Sequence, residues 1–131
     1  YAVDVQEDVL IRLADDLLRL GIKNVETIVG DLEKAGSTKL KEQSVDAVIL
    51  SNVLFQIEHK DRVVAEIKRI LKPAGKLLVV DWAGSYAGIG PHEDYVFPEH
   101  SAEKMFIDAG FYKTKSFRAG AHHYSILFTA P

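Results

Sequence analysis

The sequence predicts an α/β fold, a doubly wound and mostly parallel sheet with helices on both faces and a C-terminal antiparallel hairpin. Three observations carry this expectation. Short apolar runs alternate with amphipathic segments at helical spacing, in the order strand, helix, strand, then strand, helix, strand. The runs are almost continuously apolar, as strands covered on both faces are. The last two runs are separated only by Arg118-Ala119-Gly120-Ala121, short enough to join antiparallel neighbours. With no repeat, linker or low-complexity stretch, the 131 residues are expected to form one domain.

Tyr1–Val5 reads as a first buried strand. Val9, Leu10, Leu13, Leu17 and Leu20 then recur at three and four residues while Asp8, Arg12, Asp15, Asp16 and Arg19 fill the other side, so a helix follows, stopped at Gly21. Val25–Val29 alternates as a β-branched strand and ends at Gly30-Asp31, and a Lys-rich polar loop runs to Ser44. Val45–Leu50 is the next strand, closed by Ser51-Asn52. Asp61–Leu71 sets Val63, Val64, Ile67, Ile70 and Leu71 on one helical face, and Lys72-Pro73-Ala74-Gly75 is expected to end it in a turn. Lys76–Trp82 is a strand, Gly84–Pro91 a glycine-rich loop, Pro98–Ala109 a third helix, and Phe111–Phe117 and His122–Thr129 the closing hairpin.

Composition removes several functions. Sixteen Lys and Arg against nineteen Asp and Glu leave a net charge of −3, which lacks the basic excess of a phosphate-backbone binder, so general nucleic-acid binding is not expected. The absence of cysteine excludes thiol catalysis, iron–sulfur ligation and thiolate zinc sites. A chain of this size buries roughly two-thirds of its unfolded surface, enough for a core without disulfides or a structural metal. No apolar run approaches the roughly 20 residues that cross a bilayer, so no membrane partner is expected. With no secretory pattern either, a cytoplasmic location is expected. Tyr1 opens inside a strand, and an upstream segment is expected to complete the domain.

In open α/β sheets, ligands bind beyond the carboxyl ends of the strands. The residues found there are Asp4-Val5, Asp31-Leu32, Ser51-Asn52 and Asp81-Trp82. Two carboxylates at successive strand ends suit a nucleoside, the first accepting from ribose hydroxyls and the second from an adenine amino group. Asp at a strand end is equally explained by capping of the turn or helix that follows.

Four blocks in order resemble the class I, Rossmann-like S-adenosylmethionine-dependent methyltransferases. Tyr1-Ala-Val-Asp4-Val-Gln with its helix is similar to that family's second strand and ribose-binding acid. Asn24-Val-Glu-Thr-Ile-Val-Gly-Asp31-Leu is similar to the third strand and adenine-binding acid. Ser44-Val-Asp46-Ala-Val-Ile-Leu-Ser51-Asn52-Val-Leu-Phe55-Gln56 resembles the fourth strand and the segment bordering the methyl donor, and Ile67–Asp81 resembles the helix-turn-strand block after it. The likeness implies methyl transfer with S-adenosylmethionine as cofactor and a small-molecule acceptor. It makes Asp4, Val5, Asp31, Leu32, Ser51 and Asn52 cofactor-binding candidates, and Phe55, Gln56, Trp82 and His92 substrate-pocket candidates. The family's first strand and glycine-rich turn would lie before Tyr1. In the family's sheet that strand runs between Tyr1–Val5 and Val45–Leu50, so its absence exposes two strand edges, to be covered by upstream residues of the same polypeptide, the favoured case, by another chain in an oligomer, or by the two strands closing directly on each other. Many small-molecule members carry histidines where this chain has Phe55-Gln56, so no catalytic base is transferred to those positions.

The remaining motifs point elsewhere less well. His92-Glu93-Asp94-Tyr95 follows the glycine loop and fits either an acceptor pocket or a solvated loop. Adjacent strand residues face opposite ways, so His122-His123 cannot chelate one ion, and no metal is expected. Lys60, Arg62, Lys68, Arg69, Lys72 and Lys76, interrupted by Asp61 and Glu66, read as a solvated surface. Gly75-Lys76 lacks the Ser/Thr and the following helix of a phosphate loop. A nicotinamide reductase also places an acid after its second strand, yet no Tyr here has Lys four residues later. A methyltransferase-like interaction module that has lost donor binding is the alternative from outside enzymology.

Overall fold

The computed structural model describes residues 1–131. Its elements are β1 (Ala2–Asp4), α1 (Glu7–Arg19), β2 (Thr27–Val29), β3 (Val45–Ser51), α2 (Lys60–Ile70), β4 (Leu71–Trp82), α3 (Glu99–Asp108), β5 (Tyr112–Arg118) and β6 (His123–Thr129), with single 3-10 turns at Leu54–Gln56 and Glu93–Tyr95. The expected strands and helices are present with their ends shifted by one or two residues, except that β4 begins five residues earlier than expected. Neither 3-10 turn carries a periodic signal, and neither is foreseen from the pattern.

The turn expected at Lys72–Gly75 is instead part of β4. Val45 pairs with Leu71 but Ala47 pairs with Lys76, so residues 72–75 bulge out while the strand continues. Ala74 takes φ +61 in this bulge. A Cβ at Gly75 would lie 2.8 Å from the Lys72 carbonyl oxygen and 3.2 Å from that of Asp46, so the close approach of these backbones requires glycine.

The strands form two sheets. β1 and β2 pair in parallel, and the second sheet has the order β3-β4-β6-β5, with β3 and β4 parallel and the other neighbours antiparallel. The doubly wound plan survives, divided between β1 and β3. Each of these strands has one unpaired edge, and the two share the walls of an apolar hollow of about 310 Å³ that includes Val3, Val45, Ala47 and Ile49.

One face of the four-stranded sheet carries the core. Leu50, Leu77, Val79, Ile126 and Phe128 pack beneath Val63, Val64 and Ile67 of α2 and Ala102 and Phe106 of α3. Phe106 lies tilted against Phe128 at 5.2 Å and meets Phe111 edge-on at 5.5 Å. The period of two then places Ile49 on the opposite face, where it is 72% exposed. Helix α1 packs on β1 and β2 and fully buries only Leu10.

Candidate active site

The turns after β1 and β2 bring Asp4 and Asp31 to one hollow of about 220 Å³, which Val5, Gly30, Leu32, Val53 and Ile57 also line. Parallel pairing of Asp4 with Val29 sets the two strand ends side by side, which is how residues so distant in sequence share a wall. Each acid also has the local task that the capping reading assigns to it. Asp4 Oδ1 accepts the Gln6 N–H at 2.8 Å at the entry to α1. Asp31 Oδ1 accepts the Glu33 N–H at 3.0 Å, and Oδ2 lies 3.3 Å from the Lys34 ammonium. The Glu33 N–H and then Lys34 lower the Asp31 pKa, partly opposed by desolvation. Asp4 Oδ2 receives no hydrogen bond from the protein, so one carboxylate oxygen at the hollow's edge stays available.

Phe55 and Gln56 line a second hollow of about 580 Å³ with Ile57, Pro91, Asp94, Tyr95 and Phe97. The Lys60 ammonium sits 4.9 Å over the Phe97 ring. Gln56 and Ile57 belong to both hollows, so the turn at Leu54–Gln56 is the partition between them. Ser51 and Asn52 lie at the end of β3 outside the lining of either hollow. Asn52 adopts φ +55, its N–H donates to the Val80 carbonyl at 2.9 Å, and its own carbonyl accepts from Gln56 Nε2 at 2.9 Å. These bonds tie Asn52 to β4 and to the partition turn.

Trp82 and His92 take other positions than the second hollow. The Trp82 ring stacks on His123 at 4.2 Å, and a Cβ at Gly90 would lie 2.6 Å from the indole. Gly90, at φ +80, thus lays the 84–91 loop directly on that ring. His92 is exposed beside the second hollow's Pro91 and Asp94, its Nδ1 3.1 Å from Asp94 Oδ2. His122 stacks on Tyr86 at 4.2 Å, so the two adjacent imidazoles serve separate ring contacts.

Two buried acids are not singled out by sequence as functional groups. Glu66, which reads as part of a solvated surface, is almost fully buried and binds Arg69, Thr38 and the Gly36 N–H. Asp81, which reads only as a strand end, is fully buried and holds the partition turn through the Leu54 N–H. The available signal is their position: one acid inside an apolar helix stripe, the other ending an apolar strand.

A family model described as a methyltransferase domain matches residues 1–79, more than half of the sequence. The chain belongs to this methyltransferase-domain family. It is 34% identical over 88 residues to the ubiquinone/menaquinone biosynthesis C-methyltransferase UbiE of Bordetella avium, a match covering 67% of this chain and 33% of that protein. The protein of the same name from Bordetella parapertussis is 34% identical over 95 residues, covering 72% and 35%. The chain thus spans about a third of the length of the curated relatives it matches. Among solved structures, a SAM-dependent methyltransferase from Aquifex aeolicus superposes with a TM-score of 0.89 at 24% identity, covering all of this chain and 68% of that one. The [4+2]-cyclase SpnF superposes at 0.84 with 15% identity, covering 98% and 64%. These two likenesses establish the fold, and the cyclase shows that the fold by itself does not fix the reaction.

Proposed function

We propose that this chain is the donor-binding part of an enzyme that transfers a methyl group from S-adenosylmethionine to a small-molecule acceptor. The observation that carries the reading is the convergence of Asp4 and Asp31 on one hollow at adjacent strand ends. The residues fit the nucleoside end of the donor: free carboxylate oxygen at Asp4 for ribose hydroxyls, Asp31 for the adenine amino group, and apolar walls from Val5, Leu32 and Val53 for the base. Bound S-adenosylmethionine would supply an electrophilic methyl group on a sulfonium whose leaving group is a neutral thioether. The protein's own task is then chiefly alignment, which is why the site needs no nucleophile–base pair. Gln56 and Ile57 stand between the two hollows, Phe55 lines the second, and that second hollow receives the acceptor. Phe55, Tyr95 and Phe97 suit a flat, electron-rich ring, and with the C-methyltransferase relatives they favour a quinol carbon as the methylated atom; the ring carbon takes the methyl group as the thioether leaves, and the displaced ring proton then passes to water.

Calorimetry on the full-length protein is the direct test. Binding of both S-adenosylmethionine and its demethylated product is expected. Silence with both ligands together with binding of a nicotinamide dinucleotide would replace this reading with a reductase.

The domain itself, we propose, is completed by one further strand of the same polypeptide running between β1 and β3. Both flanking strands present unpaired edges to an apolar hollow, and a strand between them would pair those backbone N–H and C=O groups while covering its apolar walls. Such a strand would run parallel to both and reach β1 through a crossover of a dozen or more residues. In full-length protein, amides of Ala47 and Ile49 should exchange with solvent at least a hundredfold more slowly than in a polypeptide limited to these 131 residues. Equal exchange in the two would refute the filled slot.

A further inference from the structure

The turn between the two hollows is held by a buried carboxylate that lines neither of them. Asp81, near the carboxyl end of β4, is fully buried; its Oδ2 accepts the Leu54 N–H at 2.9 Å and its Oδ1 the Trp82 N–H at 2.8 Å. The first bond reaches across from β4 to the turn after β3, and the second fixes the carboxylate against its own strand. Leu54 itself is fully buried in the core, so its side chain and its amide anchor the turn from two directions. Asn52, with its left-handed backbone, adds ties to Val80 and Gln56. Gln56 and Ile57 form the wall common to both hollows, and Phe55 adds to the acceptor side.

We propose that Asp81 is a positioning residue for methyl transfer: by holding the Leu54 N–H it sets where the partition stands, and so how donor and acceptor hollows face each other. The proposal rests on the methyl-transfer reading above. Burial raises the Asp81 pKa, while the Trp82, Leu54 and Phe55 N–H groups oppose that rise by stabilising the carboxylate, which fits a group kept for its hydrogen bonds. Bringing a nucleophile in line with a methyl carbon is sensitive to displacements of about 1 Å, each able to cost about a hundredfold in rate.

Asp81→Asn in the full-length protein tests this, because it keeps the volume but turns an N–H donor toward one of the amides now bound. Three readouts are taken: amide exchange at Leu54 and Phe55, calorimetric affinity for S-adenosylmethionine, and turnover with a short-chain demethylated naphthoquinol as acceptor. Exchange at Leu54 and Phe55 is expected to quicken about tenfold or more with α2 amides unchanged. The donor Kd should stay within about threefold, and kcat should fall roughly ten- to a hundredfold. A folded variant with unchanged kcat would overturn the positioning role even if it melts at a lower temperature. A wild type that binds the donor yet methylates no quinol would instead overturn the underlying reading and this role with it. If Asp81→Asn does not fold, the same three measurements are made on Asp81→Ser, whose hydroxyl still accepts one N–H. A fall in kcat at near-constant donor Kd is again expected, and an unchanged kcat again overturns the role.

Discussion

Asp4→Ala is expected to weaken S-adenosylmethionine binding by roughly 2–4 kcal/mol, about thirty- to a thousandfold in Kd, since a bond to a charged acceptor is worth about 1.5–3 kcal/mol before solvent discounts. The structure adds a second, separable effect. Asp4 Oδ1 also takes the Gln6 N–H, so the substitution removes a turn hydrogen bond ahead of α1 and costs about 1 kcal/mol of stability. Calorimetry at a temperature well below unfolding isolates the ligand effect, and thermal melting of the free protein isolates the turn bond. Unchanged affinity in a folded variant would mean that Asp4 only holds the turn. Asp31→Ala should cost less, about three- to thirtyfold in Kd, because this carboxylate is already shared with the Glu33 N–H and Lys34 and offers one bond to a neutral amino group.

The contrast between these acids and the two buried ones shows what can be read from the chain alone. Asp4 and Asp31 follow apolar runs directly, and the parallel pairing implied by those runs brings them together, so local pattern locates them. Glu66 is hidden because its neighbours Arg62, Lys68 and Arg69 look like a water-facing surface. Its partners Gly36 and Thr38 lie 30 and 28 residues away in a loop without periodicity. Asp81 is similar, since its bond to Leu54 spans 27 residues and joins a strand end to a single 3-10 turn. Strand ends face the ligand crevice, which assigns Trp82 to the acceptor, but period two alone cannot show that Gly90 folds back over its ring. Division of the sheet between β1 and β3 is legible only through the order of strands in a known family. Nothing in the residues of either strand marks its edge as free.

Glu66→Ala is expected to destabilise the folded chain by about 3–5 kcal/mol, the range for removing one partner of a buried, hydrogen-bonded charge pair. The Glu66 side chain is 1% exposed. Its Oε2 accepts from Arg69 Nε at 2.9 Å and the Gly36 N–H at 3.0 Å, and its Oε1 from an Arg69 terminal nitrogen at 2.7 Å and Thr38 Oγ1 at 2.6 Å. Removing it takes the counter-charge from the Arg69 guanidinium and the acceptor from the buried Thr38 O–H and the Gly36 N–H, leaving the loop between β2 and β3 tied to α2 mainly through the Arg69 bonds to the Leu40 carbonyl and Thr38 Oγ1. The same network makes a pH prediction. The Arg69 hydrogen bond above all, then those from Thr38 and Gly36, pull the Glu66 pKa from 4.5 down to about 2 against desolvation. The unfolded chain therefore binds this proton more readily than the folded one. Its contribution, roughly 3 kcal/mol, is fully present above about pH 4.5 and is lost as pH falls toward 2. Urea unfolding between pH 2 and 6 should show stability rising with pH across that window in the wild type. In Glu66→Gln, which cannot titrate, the rise should be smaller by about that amount, and equal slopes in the two proteins would show that Glu66 is not held ionised by this network.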